Sequence, residues 1–176
     1  MIKIINNFFE KEDLKKVQDF ALNYAFYTPK YFDGSKVRNK MSHYGNRYLL
    51  QNNPELFDLF KKQAEIKFKV KIDKINESSG IDLRNLDHFK PHTDHRTPAK
   101  INILIMISGP TAVTNGTVFY EGTEENCVLD THVGFRENRA IWFPSNKIHS
   151  QHASKVPNLK RYTSTLFIED YTAVEV

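Results

Sequence analysis

From Val70 to Glu169 the chain is divided into short runs, either alternating or fully apolar, each closed by turn residues, and this pattern restricts it to a β architecture. The runs are Val70–Ile75, Ile81–Asp87, Lys100–Ile107, Thr117–Tyr120, Val128–Val133, Ala140–Phe143, Ile148–Ala153 and Tyr162–Glu169. Eight strands at this spacing predict a sandwich or barrel of antiparallel strands. Gly109-Pro110 opens a loop, and Asn115-Gly116 and Glu121-Gly122 read as turns.

The first third of the sequence has a different period. Ile2–Ile5 reads as a short strand, broken by Asn6-Asn7. From about Glu10 to Tyr24, Leu14, Val17, Ala21 and Tyr24 recur at helical spacing opposite Lys11, Lys15, Lys16 and Asp19. Asn53-Pro54 is a helix start with a mechanism: the Asn side chain accepts an orphan N–H, and Pro has none to lose. Phe57, Phe60, Ala64 and Phe68 then make one apolar stripe, predicting a second helix to about Lys67. The segment Tyr27 to Asn46 is mixed; its Arg38 and Tyr44, with Arg47 beyond, form either a substrate-facing loop or a solvated one. The expected organisation is a single domain over 1–176, mainly β (α+β), with helical support in 1–69 and a β core in 70–170.

Composition narrows the class further. A chain of 176 residues buries a sizeable core without staples, and its one cysteine, Cys127, excludes an internal disulfide and suits a reducing, cytoplasmic setting. Cys127 itself reads as a small buried residue in a hairpin. The apolar run at the N-terminus is too short for a signal peptide, and no stretch is long enough to span a membrane. A net charge of +4 mildly favours an acidic partner. The densest lysine run, Lys61-Lys62 to Lys74, reads as a solvated face, since no arginine-aromatic repeat suggests nucleic acid.

Within the β region, His92-Thr93-Asp94 stands out. In an extended chain residues i and i+2 share a face, so His92 and Asp94 present an imidazole and a carboxylate to one point. His149 follows the apolar run Ala140–Phe143 and its turn, and supplies a third ligand. Two histidines and one carboxylate on one face leave coordination positions open, the ligand set of non-haem Fe(II) oxygenases. Arg161 opens the last strand and offers a fixed guanidinium for a dicarboxylate, with Thr163 on the same face.

His92-x-Asp94, His149 and Arg161-x-Thr163, in that order, resemble the Fe(II)/2-oxoglutarate dioxygenases, most closely their prolyl-hydroxylase-like branch. Lys90-Pro91 before the first ligand, Asn115-Gly116-Thr117-Val118-Phe119-Tyr120 as a Gly-led strand, and Phe143-Pro144-Ser145 before the last ligand fit the same pattern, which runs from about Ile81 to Ile168. The resemblance implies a double-stranded β-helix, a cupin-like jelly roll whose mouth holds the metal. It implies Fe(II) on His92, Asp94 and His149, with 2-oxoglutarate and O2 as co-substrates and ascorbate as a candidate reductant. It also implies hydroxylation of a C–H bond with release of succinate and CO2. A peptide, protein or amino-acid side chain, proline first, is the substrate that the branch suggests, with small molecules as the other class.

Arg161 is assigned to the distal carboxylate of 2-oxoglutarate, with Lys160, on the opposite strand face, as its rival. Tyr120 and Asn102 are weaker candidates for the co-substrate pocket; the alternatives are a half-buried tyrosine and a strand-edge amide. His88, His95 and His152 read as surface or supporting residues, His95 being the one best placed to reach a substrate, while His43 and His132 carry no readable signal. Asp87 and Asp130 are candidate acceptors that fix a histidine tautomer. Substrate choice is expected to lie in the loops Tyr27–Asn53 and Thr111–Gly116.

Two competing functions have sequence tests. A nucleic-acid oxidative dealkylase would carry R-x-N-x-T-x-R, but Thr163 stands in place of its Asn and Phe167 in place of its second Arg. A non-catalytic metal-binding jelly roll has no need of a dicarboxylate anchor such as Arg161. Asp94 also disfavours halogenation, which in the family goes with loss of that carboxylate.

Overall fold

The computed structural model describes residues 1–29, 46–84, 90–94, 98–152 and 160–174. The expectations attached to Arg38, His43, Tyr44, Asp87, His88 and His95 lie outside them. The elements are β1 (Lys3–Asn6), α1 (Lys11–Asp19), β2 (Thr28–Pro29), β3 (Asn46–Leu49), α2 (Pro54–Phe68), β4 (Val70–Ile75), β5 (Gly80–Arg84), β6 (Ile101–Ser108), β7 (Ala112–Gly122), β8 (Cys127–Phe135), β9 (Arg139–Pro144), β10 (His149–His152) and β11 (Arg161–Ala173).

They form a large antiparallel sheet in the order β1-β9-β6-β11-β5-β3-β2, with β4 also pairing β11, and a small sheet in the order β10-β7-β8. This is the jelly roll. The strand alternation explains both layers. On β6, Ile101, Ile103, Ile105 and Ile107 belong to one apolar cluster, shared with Val17 and Ala21 of the N-terminal helix and Leu56, Phe60, Ala64 and Phe68 of α2. The residues between them on the strand, Leu104 and Met106, face the small sheet and join a second cluster with Phe119, Val133, Phe135, Ile141 and Phe143. The helices thus cover the outer face of the large sheet, and the site is left between the two sheets.

The predicted helices form, with one change. Asn53 Oδ1 accepts the Leu56 N–H at 3.1 Å, as the Asn-Pro start requires, and α2 ends at Lys69 in a left-handed conformation. The first helix is α only to Asp19 and continues as a π-helical turn over Phe20–Tyr24, closed by Ala25 N–H to the Phe20 carbonyl. The extra residue in that turn rotates the stripe, so Tyr24, expected on the core side, is exposed.

The strands also differ in two places. Asn115-Gly116 is not a turn: it is a bulge inside β7, where the register against β8 shifts between Ala112 and Gly116. Gly116 has φ 157°, and a Cβ there would meet the Val133 carbonyl at 2.0 Å. Most of the expected Thr111–Gly116 loop is therefore strand, and Glu121-Gly122, expected as a turn, are the last two residues of β7. Two strands, β2 and β3, lie in a region whose sequence showed no period. Cys127, expected to be buried, is partly exposed at the start of β8. Among the described residues no helix is long and apolar enough to cross a membrane.

Candidate metal centre and cleft

His92 and His149 are 57 residues apart and meet because their backbones pair antiparallel: each donates its N–H to the other's carbonyl, at 3.0 and 2.9 Å. Asp94 N–H then reaches the Ser145 carbonyl at 2.9 Å. With the backbone tied at both ends, one ligand atom from each of His92, Asp94 and His149 falls within 4.8 Å of the others. Asp94 Oδ1 is 3.8 Å from His92 Nε2, and Asp94 Oδ2 is 3.4 Å from His149 Nε2.

Each imidazole is oriented by the residue two before it. His92 Nδ1 lies 2.9 Å from the Lys90 carbonyl and His149 Nδ1 lies 3.0 Å from the Lys147 carbonyl. A carbonyl only accepts, so both rings carry a proton on Nδ1, which leaves Nε2 as the atom turned toward Asp94. Burial, followed by the neighbouring His149, pushes the His92 pKa down to about 4, so its ring is neutral and able to bind a metal at pH 7. Asn102 Nδ2 donates to Asp94 Oδ2 at 2.7 Å and fixes the carboxylate. The donor set is hard oxygen plus imidazole, confined to one side, and it suits a divalent transition ion with open positions.

The three residues line a cleft between the sheets, with Arg47, Arg84, Leu104, Met106, Arg161, Thr163, Thr165 and Phe167 from the large sheet and Thr117, Phe135 and Gln151 from the small one. β11 supplies the inward face by alternation: Arg161, Thr163, Thr165 and Phe167 point into the cleft, while Tyr162, Leu166 and Ile168 join the core under the helices. Arg161 is 5 % exposed, its guanidinium 5.4 Å from the Phe135 ring and its Nη1 3.4 Å from the Gly116 carbonyl that the β7 bulge turns inward. Its Nε and the Thr163 Oγ1 are buried and have no hydrogen-bond partner among the described residues, so a donor and a hydroxyl on one strand face can serve an acceptor in the cleft. Burial, then Arg84, pushes the Arg161 pKa down to about 9; a carboxylate beside it would offset both effects.

Not every residue singled out from the sequence faces the cleft. Tyr120 does not: it alternates with Phe119, which faces the large sheet, and its hydroxyl meets Ser150 Oγ at 2.8 Å on the other side of the small sheet. Asn102 does not line it either and instead holds Asp94. Lys160 is exposed, and His152 stacks edge-on with His132, ring centres 5.3 Å apart, away from the three residues. Asp130 accepts from Lys147 at 3.4 Å and bonds neither ligand histidine.

Sequence reasoning missed Arg84 and Asp82 and left Arg47 unassigned. Arg47 Nε and Nη2 each bond an oxygen of Asp82 at 2.7 Å, Nη1 reaches the Ser78 carbonyl at 2.6 Å, and Arg84 shares Asp82 Oδ2 at 3.0 Å. Burial works against the Arg47 charge, but Asp82 more than offsets it and holds the pKa above its ordinary value. Arg84 is lowered by burial and by Arg47, which outweigh the same carboxylate. The i, i+2 spacing of Asp82 and Arg84 was visible, but β3, which brings Arg47 alongside β5, was not.

No protein-family model and no curated protein matches this sequence. Solved structures do. The non-haem α-ketoglutarate-dependent epimerase SnoN from nogalamycin biosynthesis superposes with TM-score 0.63 at 10% identity, covering 98% of this chain and 77% of that one. Its complex with Fe3+, α-ketoglutarate and nogalamycin RO gives 0.61 at 9% identity, over 99% and 81%. A prolyl hydroxylase from Trichoplax adhaerens, bound to a fragment of the hypoxia inducible factor oxygen degradation domain, gives 0.63 at 13% identity, over 95% and 82%. At these identities the likeness is one of fold: this chain is a double-stranded β-helix protein with the architecture shared by SnoN and the Trichoplax prolyl hydroxylase.

Proposed function

We propose that this protein is an Fe(II)- and 2-oxoglutarate-dependent dioxygenase that hydroxylates a C–H bond of a peptide, protein or amino-acid (prolyl-like) substrate. The observation carrying this reading is the pairing, in one cleft, of the His92/Asp94/His149 group with buried donors of Arg161 and Thr163 that no described residue satisfies. A metal site alone would fit a structural ion; a buried guanidinium facing the same cleft calls for a second, anionic ligand.

In this reading His92, Asp94 and His149 hold the iron, whose chemistry when bound is oxidative decarboxylation of the 2-oxo acid coupled to C–H oxidation. The protein's part is orientation. Lys90 and Lys147 carbonyls set the two imidazole tautomers, and Asn102 keeps Asp94 turned toward both. Arg161 holds the distal carboxylate of 2-oxoglutarate, with the Thr163 hydroxyl as a second donor. Leu104, Met106, Phe135 and Phe143 give the cleft an apolar wall beside these polar groups. Arg161→Ala is therefore expected to raise the KM for 2-oxoglutarate tenfold or more, on the scale of about 1.5–3 kcal/mol for a hydrogen bond to a charged group, while metal affinity stays nearly constant. Arg161→Lys should recover part of the loss, and a larger effect from Lys160→Ala would exchange their roles.

The functional test supplies Fe(II), ascorbate and 2-oxoglutarate and measures succinate, first alone and then with proline-containing peptides, free amino acids and methylated oligonucleotides. Slow succinate formation without substrate, accelerated by a peptide or amino acid that gains one oxygen atom, is the expected result. The likeness to SnoN favours one second reading, C–H abstraction ending in epimerisation; it would consume 2-oxoglutarate but leave the substrate mass unchanged. Formaldehyde release from a methylated oligonucleotide would mark a dealkylase, and absence of succinate from folded, iron-loaded protein a non-catalytic metal site.

A further inference from the structure

Three successive backbone N–H groups cross the candidate metal-binding segment, and each has a different anchor. His92 N–H goes to the His149 carbonyl and Asp94 N–H to the Ser145 carbonyl, both on the side of the β9–β10 connection. In an extended segment the N–H between them points the opposite way. There Thr93 meets the tip of the β7–β8 hairpin: Glu124 Oε1 accepts the Thr93 N–H at 2.8 Å and the Thr93 hydroxyl at 2.8 Å. The tip is itself shaped, with Thr123 N–H on the Asn126 carbonyl at 3.1 Å and Asn126 N–H on Thr123 Oγ1 at 3.2 Å.

The same hairpin grips the other ligand-bearing segment. Lys147 Nζ pairs with Glu121 at the end of β7 and reaches Asp130 on β8 at 3.4 Å, and the Lys147 carbonyl is the one that orients His149. Hence a single hairpin holds both halves of the ligand set, through Thr93 on one side and Lys147 on the other.

We propose that the β7–β8 hairpin is a clasp for the metal centre, and that Glu124 is a positioning residue that fixes the Thr93 backbone so that His92 and Asp94 converge. This rests on the metal-binding reading above. The contribution of Glu124 is preorganisation, not fold stability: it is exposed, and exposed hydrogen bonds of this kind change global stability little. Without it, the stretch between two tied backbone points gains freedom at Thr93, and metal binding has to restore the order.

The experiment titrates metal-free wild type, Glu124→Ala, Glu124→Gln and His92→Ala anaerobically with Co(II), reading the visible d–d bands, and measures hydrogen exchange at the Thr93 amide without metal. Supporting outcomes are a 10–100-fold loss of Co(II) affinity in Glu124→Ala, the scale seen when the groups behind metal ligands are removed, a smaller loss in Glu124→Gln, faster Thr93 exchange in both, and an unchanged thermal midpoint. Wild-type affinity and wild-type Thr93 protection in Glu124→Ala would overturn the clasp. If wild type shows no Co(II) bands and matches His92→Ala, the metal reading itself fails, a result distinct from failure of the clasp.

Discussion

Replacing His92, Asp94 or His149 by alanine, one at a time, will abolish high-affinity Fe(II) binding and with it all 2-oxoglutarate-dependent succinate formation. The cause is geometric. The three ligand atoms lie within 4.8 Å of one another around an open side, and two of them cannot define that facial arrangement. The fold should survive, because the apolar clusters contain none of these residues, and far-UV circular dichroism should be unchanged. His152→Ala is the matched control: it removes an imidazole three residues along β10 that faces away from the site. Anaerobic Fe(II) titration of the four variants decides the assignment, and full affinity in His149→Ala with loss in His152→Ala would reverse it.

Asp82→Ala will destabilise the protein by about 3–5 kcal/mol, the range for removing one partner of a buried ion pair. Asp82 is 1 % exposed and Arg47 6 %, and two arginines share this one carboxylate. Removing it leaves the buried Arg47 charge without the carboxylate facing it and sharpens the repulsion between Arg47 and Arg84. Against a typical total of about 5–15 kcal/mol, this is roughly a fifth or more of the stability. A shift of the urea midpoint with an unchanged slope is the expected signature. The triple variant Arg47→Met, Asp82→Leu, Arg84→Met should recover much of the loss, because apolar replacement of the whole cluster also removes its desolvation cost. An Asp82→Ala midpoint equal to wild type would show that the carboxylate contributes nothing net.

The His92–Asp94 pair was legible because its chemistry is local. His92 and Asp94 share a face through strand spacing, and the same spacing sets Arg161, Thr163, Thr165 and Phe167 along one side of β11. Asn102 was noticed for the wrong reason. Strand parity turns it toward the small-sheet side, but whether it meets a co-substrate or a carboxylate depends on where Asp94, eight residues away in the sequence, is placed. Tyr120 fails for a different reason: alternation turns it to the face of β7 opposite Phe119, and only the packing of Phe119 between the sheets shows that this face is the outer one. Asn115-Gly116 carries a turn signal that tertiary pairing overrides, since the left-handed backbone that glycine permits serves a bulge equally well.

What the sequence by itself determined is everything set by period and by neighbours in the chain: a β core under two amphipathic helices, the Asn53 cap, and the inward faces that carry His92, Asp94, Arg161 and Thr163. What only the tertiary structure decided is everything that joins distant segments. The meeting of His92 with His149, the Arg47–Asp82–Arg84 cluster and the contact of Glu124 with Thr93 all depend on which strands become neighbours. Alternation specifies the face of a strand on which a residue lies, but strand order and register are fixed by the competition of all strands for one core, and no local stretch encodes that competition.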